Sequence, residues 1–156
     1  VVLLVVASGL ASSKGAVMTD PNAEEAGFAG ASAALGSIQA ENSWIQQQID
    51  GGGLSMEPSA ADEAAKVYER EADEVEKLIT KADGLQQVPG LGDYPSGRQL
   101  AAKFGQKARN GTNGAADLLG QLRDELRRKA DLFRQAKQKY QATDDQVAQD
   151  VRRSAQ

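Results

Sequence analysis

The stretch SAADEAAKVYEREADEVEKLITKADG, Ser59 to Gly84, carries one periodicity from end to end. Ala61, Ala65, Tyr68, Ala72, Val75, Ile79 and Ala82 recur at alternating intervals of four and three residues. That spacing lines one face of a helix and does not fit the two-residue alternation of a strand. The face is made of alanine and small aliphatics, so a second helix can approach closely. Pro58 suits a position at or just before the first turn, and Ser59 with Asp62 makes an S-x-x-D cap signal. Asp62 and Glu63 lie where the helix dipole favours negative charge, and Gly84 is a natural stop.

Downstream, LQQVPGLGDYPSG, Leu85 to Gly97, supplies Pro89, Gly90, Gly92, Pro95 and Gly97, the residues of a turn between helices. Helical spacing resumes near Ser96 with Leu100, Phe104 and Ala108. Asn110-Gly111-Thr112-Asn113-Gly114 then marks either a kink or a real break. Beyond it the 3-4 row continues through Leu119, Leu122, Leu126, Phe133, Ala136, Tyr140 and Val147, with Lys129 and Thr143 as polar members. Residues 57–85 hold nine acids and four bases, net −5, whereas residues 86–156 hold eight acids and thirteen bases, net +5. Opposite charge on the two flanks favours an antiparallel hairpin, but exposed pairs contribute only some tenths of a kcal/mol each, so the apolar seam supplies the stability.

Upstream, residues 22–50 give a weaker helix. Phe28, Ala31, Leu35, Ile38, Ile45 and Ile49 share a row with polar Asn42, and Gly27, Gly30 and Gly36 lower its intrinsic propensity. Gly51-Gly52-Gly53 opens a flexible linker over residues 51–57. Residues 1–21 read as an extension, disordered or not native. The apolar run VVLLVV is far shorter than the ~20 residues of a membrane-spanning helix, and no basic region precedes it. Met18-Thr19-Asp20-Pro21 resembles an ordinary start, so residues 1–17 read as a dispensable extension, with weak membrane contact as the alternative. The expected architecture is therefore all-α. It consists of an antiparallel helical hairpin over residues 58–151 with a long second arm, an additional N-terminal helix, and a tail over 152–156.

Composition narrows function further. The chain has no cysteine and no histidine, which removes disulfides, thiolate chemistry, Cys/His metal sites and the commonest general base. Asp124/Glu125 and Asp144/Asp145 are adjacent acids that point to different helix faces, so no acid pair converges. Glu69, Glu71, Asp73, Glu74 and Glu76 read as a solvated face. Gly90-Leu91-Gly92 lacks the helix and third glycine of a phosphate loop. A net charge of −4 and basic residues without interleaved aromatics argue against a nucleic-acid partner. No enzyme activity, cofactor, metal or small-molecule substrate is expected.

One motif remains. In YQATDDQVAQDV, Tyr140 is followed by Asp144, Val147 and Val151 at four, seven and eleven residues, all on one helical face. The same spacing would arise in the last turns of any amphipathic helix. With the hairpin before it, however, the pattern resembles the WXG superfamily, the helical-hairpin substrates and partners of type VII (ESX) secretion in actinobacteria and their relatives. In that family a tail beyond the second helix carries Tyr-x-x-x-Asp/Glu, often extended by two spaced aliphatics. Tyr140, Asp144, Val147 and Val151 match the extended pattern residue by residue. The resemblance covers residues 54–151 and implies a secretion signal read by the machine's membrane ATPase, with the protein held in a helical dimer.

The chain departs from the family in the turn, where Trp-x-Gly is missing. Its only tryptophan, Trp44, lies outside the hairpin, and Leu91-Gly92 or Tyr94 occupies the turn region. Family pairs often place the tail signal and the Trp-x-Gly on different partners, which implies one half of a heterodimer, a homodimer being the alternative. The expected function is non-enzymatic: a secreted or cell-surface substrate, or a substrate partner. The competing expectation is a cytoplasmic scaffold that acts by pairing helices.

Overall fold

A computed structural model describes residues 21–155, with side chains from residue 29 onward; the extension read at residues 1–20 lies outside the described residues, as does the Phe28 side chain. The described residues form four helices and no strand: α1 (Pro21–Asp50), α2 (Pro58–Gly84), α3 (Pro95–Ala108) and α4 (Ala115–Ser154).

The seam of α2 packs as its spacing requires. Ala61, Ala65, Ala72, Val75, Ile79 and Ala82 are buried, and the half-buried Tyr68 stacks on Phe133 of α4 at 5.5 Å. Ion pairs fix the sense of the pairing. Lys137 meets Asp62 at 2.7 Å, Arg134 meets Glu69, and Arg123 meets Glu76 at 2.8 Å. The α2 numbers rise as the α4 numbers fall, so the two helices are antiparallel. Three acids of the run read as a solvated face, Glu69, Asp73 and Glu76, thus lie along the hairpin flank opposite Arg134, Arg127 and Arg123.

The start of α2 differs from the S-x-x-D expectation. Glu57 is the cap: its carboxylate accepts from the Ala60 N–H at 3.0 Å and from the Ser59 hydroxyl. Pro58 occupies the first helical turn, where its missing N–H leaves nothing unsatisfied, so the helix begins one residue too early for Ser59 to cap it. Asp62 is then free to reach Lys137.

Helix α1 supplies a third layer. Asn42 lies beside Glu125, Glu41 beside Lys129, and Ile45 and Ile49 pack with Leu132 and Ala136. Both sets of numbers rise together, so α1 runs parallel to α4 and covers a face of it other than the one α2 takes. The 51–57 linker crosses α4 between them. Gly52 supplies a positive φ of 73°, and the Met56 N–H donates to the Ala136 carbonyl at 3.3 Å.

Residues 109–114 are a real break, not a kink. The Asn110 side-chain oxygen accepts from the N–H groups of Thr112, Asn113 and Gly114, forming a compact turn. Gly111 sits at φ 86°. The Asp117 carboxylate gathers the Asn110, Gly111 and Gly114 N–H groups at 2.8, 2.8 and 3.2 Å. The second arm of the hairpin is therefore α4 alone. Its 40 residues extend about 60 Å against about 40 Å for the 27 of α2.

Candidate functional site

The difference in length creates the site. Pro58 at the start of α2 lies beside Tyr140, and the linker has already crossed at Ala136. From Gln141 to Ala155 every residue is exposed. An isolated helix of about fourteen residues would be marginal in water, but this one continues a packed helix and needs no new nucleus. Local bonds support it: the Thr143 hydroxyl donates to the Lys139 carbonyl at 2.9 Å, and the Gln146 amide donates to Asp150 at 3.2 Å. Arg152 and Arg153 occupy the last turn, where the helix dipole favours cations.

The four motif residues fall within an arc of about 60° on this arm, given 3.6 residues per turn. Tyr140 is half-buried, its ring at the edge of a hollow shared with Pro58, Gln141, Asp144 and Asp145. Asp144 is exposed, and Val147 and Val151 remain 55% and 60% accessible. Neither the Tyr140 hydroxyl nor the Asp144 carboxylate has a hydrogen-bond or ion-pair partner among the described residues. The helix thus brings together an aromatic anchor, an unpaired carboxylate and two aliphatics, with nothing of this chain over the outer three. Such a strip can dock in a groove that offers an apolar floor and one donor or cation.

At the opposite end, the turn residues lie in the connection from α2 to α3. Gly90 and Gly92 adopt positive φ, Pro95 opens α3, and Gly97 is buried so close to the connection that a Cβ would stand 2.2 Å from the Leu91 carbonyl oxygen. The reversal from α2 to α4 takes all of residues 85–114, α3 included. Arg109 clasps its base, donating to both Asp83 carboxylate oxygens at 2.6 and 2.9 Å and approaching Asp117 at 3.6 Å. The Arg109 hydrogen bonds hold the Asp83 carboxyl below its ordinary range; the Asn110, Gly111 and Gly114 N–H groups, with Arg109 beyond them, do the same for Asp117.

Sequence spacing does not single out Ala130 and Leu132, both buried under α1. The signal that could have found this face is Leu118, Glu125 and Leu132, one heptad apart beside the row that faces α2. Trp44 points away from α4 and is 58% exposed. Among the described residues no acidic cluster is placed to hold a metal ion, and no helix is long and apolar enough to cross a membrane. No protein-family model matches the chain, and neither a curated protein nor a solved structure matches it.

Proposed function

We propose that this chain is a non-enzymatic substrate, or substrate partner, of a type VII secretion machine, exported through the Tyr140–Asp144–Val147–Val151 face. The observation that supports it most is the bare end of α4: the hairpin stops at Pro58 while the helix runs on, with Asp144 unpaired. In this reading the receptor is the membrane ATPase of the machine, and a helical partner chain completes a dimer. Docking would be of the helix-in-groove kind, with Tyr140 as anchor and the valines extending the contact.

The test compares wild type with Asp144→Ala and Tyr140→Ala in a host carrying such a machine, following the protein in culture supernatant. Export should fall at least tenfold, the loss of roughly 1.4 kcal/mol of recognition. Unaltered export of both variants, with the fold intact by circular dichroism, rejects the signal. The second reading, a cytoplasmic scaffold, draws on the same bare valines as a helix-pairing strip. Fractionation that leaves wild type wholly inside the cell favours it.

A further inference from the structure

Independently of export, an apolar cleft of about 1000 Å³ opens at the turn end of the molecule. Its walls come from the first half of α1 (Leu35, Ile38), the α2–α3 connection (Val88), α3 (Phe104) and the start of α4 (Leu119, Leu122). Lys107 is the one charged residue among its lining. The cleft exists because α1 grips α4 only from Leu35 onward; the preceding residues 29–34 are exposed, and Phe104 is left 46% accessible. Contiguous apolar surface of this kind invites a cover.

We propose that the chain's own apolar segment, Val1 to Leu10, is that cover. It adjoins α1, and VVLLVVASGL carries no charged side chain, the first being Lys14. Reach is sufficient. The cleft begins about 15 Å along α1 from Pro21, and the ten residues Ala11–Asp20 span up to roughly 33 Å when extended. Size also favours a tethered occupant. The volume is that of a pocket for a few side chains, whereas a separate protein must bury about 1000 Å² to form a stable complex. A segment on the same chain loses no translational freedom on docking, so a small contact suffices. The extension read as dispensable thereby becomes the third wall of the turn end.

The absence of cysteine allows a direct test in the full-length chain. Val5→Cys is paired with Val88→Cys in the cleft, and separately with Trp44→Cys on the outer side of α1. Under mild oxidation the Val88 pair should form an intramolecular disulfide and the Trp44 pair should not. In parallel, Leu3→Asp with Leu4→Asp in the full chain, and a chain starting at Met18, should each raise the fluorescence of a hydrophobic dye several-fold. Both should also speed amide exchange in residues 101–108 and 115–122 by about tenfold, leaving residues 65–79 unchanged. Equal cross-linking at both positions overturns the proposal, as does dye binding and exchange identical to wild type. A cleft protected only in a concentration-dependent dimer overturns it in favour of a second copy. Capture of the full chain by anionic lipid vesicles with the cleft still accessible to dye overturns it in favour of a membrane contact.

Discussion

Two stretches of α4 obey one rule and meet different fates. From Ala116 to Ala136 the helix is held between α1 and α2, with Lys129, Ala130 and Leu132 buried. From Gln141 onward the 3-4 spacing continues through Asp144, Val147 and Val151, yet every residue is exposed. Periodicity therefore reports which face can be buried, not whether anything buries it. What decides is the length of the neighbours. Helix α2 begins at Pro58 and the linker leaves at Ala136, so the last four turns have no cover. The packed stretch spends its apolar face on folding, and the tail keeps its own for a partner.

The sharpest way to break that contrast is to truncate the packed side. Leu132 is 1% exposed and joins Ile45, Ile49 and Ala136 beneath Leu54 and Met56. Leu132→Ala should destabilise the chain by about 2–5 kcal/mol in urea unfolding, since the cavity lies between two helices and a crossing linker. A cost below about 1 kcal/mol would mean that α1 does not hold α4. Next comes Asn42, fully buried, whose amide donates to the Glu125 carbonyl at 3.0 Å and carboxylate at 2.8 Å. Its own side-chain oxygen has no partner. Asn42→Ala should cost about 1–3 kcal/mol, because both Glu125 acceptors lose their donor. Asn42→Leu should recover that stability while letting α1 shift along α4, seen as multiple amide signals for residues 125–132. A single sharp set of signals would remove the register role.

The α2 seam was legible at every position because a single partner faces it. Small residues on one row admit one solution, and the charge imbalance between segments points to the ion pairs that flank it. Helix α4 was half legible. The row Leu119, Leu122, Leu126, Phe133 stands out, but Leu132 falls outside it, and only a second packing helix explains its burial. No propensity announces that α1 will return to cover that side. The break at 109–114 was visible in its glycines and asparagines. Its outcome depended on Asp117, whose carboxylate, three residues into α4, pulls the loop N–H groups together. In the tail, spacing placed four residues on one face, but their accessibility follows from where other helices end.

The turn end gives a smaller effect with a defined pH dependence. Asp117→Ala should cost about 1 kcal/mol through loss of the cap. Because the folded carboxyl titrates below its unfolded value, its contribution is complete above the unfolded value near pH 4 and is lost as pH falls through the folded one. Amide exchange at residues 110–114, corrected for intrinsic rate, should therefore lose protection below about pH 4 in wild type. Asp117→Asn should flatten that dependence. If the loop stays equally protected at acid pH in the wild type, the carboxylate is not what organises it.

The smallest expected effect is the most informative for the tail. Val147→Ser and Val151→Ser replace side chains that touch nothing else in the described chain's core, so stability should change by no more than about 0.5 kcal/mol. Asp144→Ala belongs with them, being exposed and unpaired. Tyr140→Ala stands apart, because the ring also rests beside Pro58 and its loss would loosen the start of α2. The three outer positions therefore separate recognition from folding better than the tyrosine does. If Val147→Ser or Val151→Ser lowered the midpoint of thermal unfolding by several degrees, the tail would be packed in solution, and the contrast between the two halves of α4 would collapse. If they leave the midpoint unchanged but abolish export, the loss can only lie in what the bare face meets outside this chain.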